Sequence, residues 1–288
     1  MKLATTEPSP PSDLAMRLDS AFPLTLVSLD DGARMACRQA GRGPAVVLLH
    51  GIGSGAGSWL EVAEQLSRTH RVLAWDAPGY GESDPLAAQA PGAADYAARL
   101  DALLARLDVH DYVLVGHSLG AIVARQQAAH GERRPRKVLL LSPAPGYGAA
   151  APERRAAVRA RRLQALADGG VAGIAERRSA AMLSPAATPG QVAWVAWNTR
   201  RISERGYAQA IELLCGGDLL APAAPQVHAV HVGEHDTITP VEQSRAAAQA
   251  LNAPFGLIEA AGHACHIEQP AQVAGIIEGF CADATPVI

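Results

Sequence analysis

Aromatic side chains are scarce: Phe, Trp and Tyr together make up 4% of 288 residues. Ala, Leu and Val must therefore fill most of any core. An excess of one charge is also missing. Twenty-five Lys and Arg stand against 28 Asp and Glu, for a net charge of −3. No basic stripe with interleaved aromatics is present, so nucleic acid is not expected as a partner. The four cysteines (Cys37, Cys215, Cys265 and Cys281) are widely spaced and form no CxxC pair. They imply no disulfide framework and suit a reducing compartment. No apolar core follows Lys2, so no secretory signal is expected. No apolar run approaches the roughly 18 residues of a membrane span. These absences point to a cytoplasmic protein with no membrane partner. What is plentiful is apolar material, 49% of the chain. That is enough for a sizeable core in one large domain or in a domain with an insertion.

Residues 1–22 are rich in Pro, Ser and Thr and read as a flexible N-terminal tail. LTLVSL (24–29) and ARMACRQ (33–39) flank Asp30-Asp31-Gly32, a hairpin signature. Short continuous apolar runs then alternate with helical patterns. The runs AVVLLH (45–50), RVLAWD (71–76), YVLVG (112–116) and KVLLLS (137–142) read as strands buried on both faces. Helical patterns over 58–68, 93–108 and 121–130 separate them. Such alternation predicts an α/β fold, a mostly parallel central sheet with helices on both faces. From 145 to 225 it is interrupted by Arg/Ala-rich helical patterns over 152–167, 171–183, 189–202 and 204–216. It resumes with strands at 227–233 and 255–260 and helices at 241–251 and 270–281. The predicted organisation is a core of 23–144 and 226–288 carrying an inserted helical cap, 145–225, over the sheet's carboxyl edge, where open α/β sheets bind ligands.

Gly116-His117-Ser118-Leu119-Gly120 lies between a predicted strand and a predicted helix. A plain capping turn would also accept Ser and Gly. In a strand-turn-helix context, however, small residues at both ends permit a sharp elbow that exposes the Ser118 hydroxyl as a nucleophile. A serine needs a base, and the base needs an orienting carboxylate. GEHDTITP (233–240) places Asp236 in a loop after one strand, and AGHACHIEQP (261–270) places His263 in a loop after the last. The loop after 137–142 reads Ser-Pro-Ala and offers no acid. His266 is the rival base, less favoured because His263 directly follows Gly262. His117 would point away from Ser118, and His235 is read as shaping the Asp236 loop. For an oxyanion hole, the expected donors are the N–H groups of Leu119 and Ile52, with Gly53 as the next choice. Ile52 and Gly53 belong to a Gly-rich loop, 50–57, that lacks the Lys-Ser/Thr of a phosphate-binding loop.

These motifs resemble those of the α/β-hydrolase superfamily. LLHGIG resembles its oxyanion loop, and WDAPGYGESD (75–84) its Gly-turn loop. GHSLG, GEHDTITP and GHACHIEQP resemble the nucleophile, acid and histidine motifs, in the family's order. The resemblance implies an α/β-hydrolase fold and a catalytic triad of Ser118, Asp236 and His263, with no cofactor and no metal. The closest likeness is to 3-oxoadipate enol-lactonases and small carboxylesterases, partly through RGYAQAIELLCGGDLL (205–220). It implies acyl transfer from a small ester or lactone to water. Alternatives on the same scaffold are C–C bond hydrolysis of ring-cleavage products, lyase or cofactor-free oxygenase chemistry, and a non-catalytic receptor. The expected partner is a small-molecule substrate, and the expected state of the protein is a monomer or homodimer. Ten cap arginines exceed six cap acids, and an inward arginine could hold a substrate carboxylate. At least eight of the ten are expected to be solvated. Trp194 and Trp197 share a helix face and would either line the substrate pocket or pack on the core. Met182 is read as core.

Overall fold

The apolar runs become the strands of one eight-stranded sheet in the computed structural model, which describes residues 12–221 and 227–282. The strands are β1 (Leu24–Ser28), β2 (Arg34–Ala40), β3 (Ala45–Leu49), β4 (Arg71–Trp75), β5 (Tyr112–His117), β6 (Lys137–Leu141), β7 (Ala229–Gly233) and β8 (Phe255–Ile258). Their order is β1-β2-β4-β3-β5-β6-β7-β8. All neighbours from β4 to β8 pair in parallel, whereas β2 is antiparallel to both β1 and β4. The β1–β2 hairpin turns at Asp30-Asp31-Gly32, as the sequence predicts, with Gly32 at φ 84°.

Period-two alternation divides the apolar residues between two cores. Val46, Leu48, Val113, Val115, Leu139 and Leu141 face one side, while Val47, Leu49, Leu114, Val138 and Leu140 face the other. Both faces are covered by helices, which is why these strands read as unbroken apolar runs. Helices α3 (Ala93–Arg106) and α4 (Leu119–His130) pack together against one face. Against the other lie α1 (Ser12–Ala21), α2 (Leu60–Leu66) and α10 (Pro270–Ala282).

Helix α1 corrects the reading of a loose tail through residue 22. Leu18 and Phe22 are buried in the second core. The buried Arg38 guanidinium donates to the Leu18 and Phe22 carbonyls and to Asp19, serving groups that a helix end leaves without partners. Pro and Ser dominate only the beginning of that stretch, and the apolar spacing that docks the helix begins later. The tail reading for residues 1–11 lies outside the described residues.

Between β6 and β7 the chain runs through α5 (Pro152–Arg178), α6 (Pro189–Arg200) and α7 (Glu204–Gly216). Helix α5 is two helical segments joined at Gly170, whose φ of 59° and ψ of −169° break the helix. The two patterns at 152–167 and 171–183 anticipate that break. One short bridge, Tyr80 with Ile202, ties this insertion to the core, and a second, Gly146 with Asp218, joins the insertion's two ends. At the first, Gly79 and Gly206 approach so closely that a Cβ on Gly206 would stand 2.3 Å from the Gly79 carbonyl oxygen. After β7 come α8 (Val241–Ala250), β8 and the short α9 (Cys265–Glu268).

Candidate active site

Ser118 sits at the junction of β5 and α4 with φ 52° and ψ −117°. That is a costly conformation for a non-glycine residue. The two flanking glycines make it possible. A Cβ on Gly116 would meet Ala121 and the Gly120 carbonyl at 2.8 Å, and one on Gly120 would meet the Leu49 carbonyl at 2.6 Å. The turn therefore closes only without side chains there, as the elbow reading requires.

The loops after β7 and β8 bring Asp236 and His263 to this serine. The Ser118 hydroxyl lies 2.9 Å from His263 Nε2, and His263 Nδ1 lies 2.9 Å from Asp236 Oδ2. In the tautomer with the proton on Nδ1, the serine O–H donates to Nε2 and Nδ1–H donates to the carboxylate. All three residues are buried. Asp236 Oδ1 accepts from the N–H groups of Ile238 and Thr239, each at 2.8 Å. Oδ2 also accepts from the Thr239 hydroxyl at 2.8 Å. Burial alone would push this carboxyl up. The hydrogen bond and charge of His263, together with the Thr239 donors, outweigh burial and hold it down at about 2. The aspartate is thus an anion shaped to receive one more proton donor, the imidazole.

The loop after β3 lies against the nucleophile. A Cβ on Gly51 would stand 2.8 Å from Ser118 Cβ, so only glycine permits this approach. The Ile52 carbonyl accepts from the Tyr80 hydroxyl at 3.0 Å and the Gly53 carbonyl from Thr199 at 2.7 Å. His50 binds the Gly51 carbonyl through Nδ1 and the Ala77 N–H through Nε2. With the carbonyls held, the N–H groups of Ile52, Gly53 and Leu119 donate to no group among the described residues.

The remaining histidines separate clearly. His266 is stacked on Trp59 at 4.3 Å and bonded to the Ser58 hydroxyl, away from Ser118. His235 lies near Glu234 at the surface. His117 points away from the serine and bonds through Nε2 to the His263 carbonyl at 2.8 Å. It holds the backbone of the residue it cannot replace, a role that no local pattern announces. Burial, then repulsion from His263, pushes His117 down to about 3, so it stays neutral. His117, Cys265 and His266 place their ligating atoms within 4.8 Å of one another. Burial pushes the Cys265 thiol up to about 12, and each imidazole is bonded through Nε2 while its buried Nδ1 has no partner among the described residues. Neutral packing suits that trio better than metal ligation does.

A model of the alpha/beta hydrolase family matches residues 46–276. The chain belongs to the alpha/beta hydrolase family. Among solved structures, the enol-lactonase from Burkholderia xenovorans is 22% identical, with a TM-score of 0.79 over 90% of this chain and all of that one. A thermophilic esterase from Thermogutta terrifontis is 24% identical, with the same TM-score over 90% of this chain and 97% of its own. At these identities the likeness is one of fold. Among curated proteins, an uncharacterized protein of Mycobacterium tuberculosis is 40% identical over 111 residues, 38% of this chain. The chain spans only 32% of that relative's length. The 2-hydroxy-6-oxo-6-phenylhexa-2,4-dienoate hydrolase of Burkholderia cepacia is 32% identical over 120 residues, 40% of this chain and 42% of its own.

In this hydrolase-family chain a cavity of about 110 Å³ opens above Ser118 and His263. The core supplies Ile52, Leu119, Ile238 and Thr239, and the insertion supplies Ile174, Met182 and Tyr207. Met182 packs against the second core, as read, and also lines the cavity. Trp194 and Trp197 do not line it. They stack on each other at 4.8 Å, nearly parallel. Trp194 is buried in the core beneath the sheet, and Trp197 lies against Gly57 and beneath Arg201. The cause is the docking of α6 on the 3₁₀ turn Ala56–Trp59, which points the Trp face at that turn and leaves Thr199 for the cavity. Of the ten insertion arginines, Arg162 and Arg178 line the cavity. Glu268, unremarked in the sequence, receives the N–H groups of Gly262 and Ser184 and so joins the His263 loop to the insertion.

Proposed function

We propose that this protein is a serine hydrolase of small carboxylic esters or (enol-)lactones that works through an acyl-enzyme. The observation that carries the reading is the unbroken hydrogen-bonded line Ser118–His263–Asp236, with both links at 2.9 Å. His263 takes the Ser118 proton as Oγ attacks the substrate carbonyl. Asp236 holds the imidazole in the tautomer that leaves Nε2 free to accept, and stabilises the imidazolium that forms. The negative charge on the carbonyl oxygen develops beside the N–H groups of Leu119 and Ile52, with Gly53 next to them, at the positive end of α4. His263 then returns the proton to the leaving oxygen, and water releases the acyl group by the same route.

Partial likeness to a C–C bond hydrolase supports a second reading in which the same triad cleaves a vinylogous diketone. The test is hydrolysis of 4-nitrophenyl acetate together with active-site labelling by a fluorophosphonate. The wild type should label at Ser118 and release 4-nitrophenolate in a burst. Ser118→Ala should lose both, with kcat falling on the order of 10⁶-fold. Turnover of the ester that survives Ser118→Ala, or labelling elsewhere, would overturn the acyl-enzyme.

A further inference from the structure

Helix α5 contains a like-charge cluster that its own kink creates. In an unbroken helix Arg162 and Arg178 would lie about 24 Å apart along the axis. The break at Gly170 folds the two segments toward each other. The Arg177 guanidinium consequently donates to the Ala165 carbonyl, twelve residues earlier, at 3.1 Å. A Cβ on Gly169 or Gly173 would stand 3.0 Å from that guanidinium, so glycines also make room for the fold-back.

The cluster stands between two cavities. One is the cavity of about 110 Å³ over Ser118. The other, of about 260 Å³, lies outside it and is also bordered by Arg161 and Arg177. Arg162, Ile174, Arg178 and Tyr207 line both. The two guanidinium groups thus mark the boundary between an outer vestibule and the site of the nucleophile.

Neither of these two arginines is neutralised. Arg162 and Arg178 form no hydrogen bond or ion pair among the described residues, and Arg162 Nε is buried without a partner. No Asp or Glu lines either cavity. Of the insertion's acids, Glu176 pairs with Arg200, Glu212 with Arg159 and Asp168 accepts from Gln164, while Glu204 lies at the Gly170 kink and pairs with neither arginine. Desolvation first, then the charge of Arg162, pushes the Arg178 pKa down, while Tyr207 opposes the shift. Arg162 is half-buried and Arg178 exposed, so water screens part of their mutual repulsion but supplies no counter-charge. An anion bound beside them relieves the rest, and a planar carboxylate matches the guanidinium fork.

We infer that the substrate carries a carboxylate remote from the scissile carbonyl, and that Arg162 and Arg178 bind it at the neck between the two cavities. The inference rests on the hydrolase reading for the position of the scissile bond. Arg161 and Arg177 border the vestibule through which such an anion enters.

The test compares mono-4-nitrophenyl glutarate with its methyl ester, which differs only in having the remote carboxylate capped. The wild type should favour the free acid in kcat/KM. Arg162→Gln/Arg178→Gln should reduce the acid-over-methyl-ester ratio about 10- to 100-fold, the range for loss of charged hydrogen bonds. The change should fall mainly in KM. Arg178→Lys in the single-variant background should recover part of the ratio that Arg178→Gln loses, because it keeps the charge and loses the fork. A wild-type ratio near one, or an unchanged ratio in the double variant while Ser118 still hydrolyses the methyl ester, overturns this inference and leaves the hydrolase reading intact. Loss of Ser118 labelling by a fluorophosphonate in the wild type overturns the hydrolase reading instead. Calorimetric binding of glutarate to Ser118→Ala then judges the arginines without turnover. It should weaken about tenfold or more when Arg178→Gln is added, and equal affinity overturns the assignment.

Discussion

At the scale of single residues, the elbow and its neighbours show how position determines chemistry. Ser118 is reactive in this reading because two missing side chains let the strand turn sharply, and a third, at Gly51, lets the oxyanion loop approach. Gly51→Ala tests that closeness. Its Cβ would meet Ser118 Cβ at 2.8 Å, so the loop must shift and carry the Ile52 N–H with it. A displacement of about 1 Å at a reacting centre costs roughly 10²-fold. The expected outcome is a fall of that order in kcat for 4-nitrophenyl acetate, with a circular dichroism spectrum like that of the wild type. The elbow, the acid and the histidine were all legible as motifs, because each depends on residue types held at fixed short spacing. The support that His117 gives the His263 carbonyl across 146 positions was not. Nothing local distinguishes a histidine that holds another loop from one that merely packs.

At the scale of elements, α1 and α6 carry the lesson. Helix α1 looks polar from its beginning, yet its Phe22 end is fully buried and its last carbonyls are served by Arg38. Phe22→Ala should therefore cost about 3–5 kcal/mol, the usual range for emptying a buried aromatic site. Urea denaturation monitored by tryptophan fluorescence measures it, and a loss below about 1 kcal/mol would mean that α1 is not docked. Helix α6 presents two tryptophans on one face, and the sequence leaves open whether that face meets substrate or core. Docking on the Ala56–Trp59 turn decides for the core. Amphipathic spacing identifies which residues share a face but carries no information about what that face meets.

At the scale of the whole molecule, burial of neutral histidines makes stability depend on pH. Burial pushes His50, His231 and His266 below their ordinary range and His117 to about 3. A folded pKa below the unfolded value of about 6.5 means that the unfolded chain binds the proton more readily. The stabilisation is therefore complete above about pH 6.5 and is lost as pH falls toward 3. Asp236 adds a second loss, from about pH 4 down to about 2. Urea unfolding at pH 7.5, 5.5 and 4.5 should show stability falling at each step. A flat profile across that window would contradict the buried, neutral state of these side chains. No helix among the described residues is long and apolar enough to cross a membrane, which agrees with the absence of such a run in the sequence. The parallel sheet, the strand-helix alternation, the helical insertion after β6 and the Ser-Asp-His order were determined by the sequence itself, because periodicity and turn chemistry act over a few residues. Which insertion arginines face the cavity, where the tryptophan pair packs and how His117 braces the His263 loop were decided only by the tertiary structure. Each depends on the path of the backbone between distant segments, and at Gly170 a single pair of dihedral angles brings Arg162 and Arg178 to one neck.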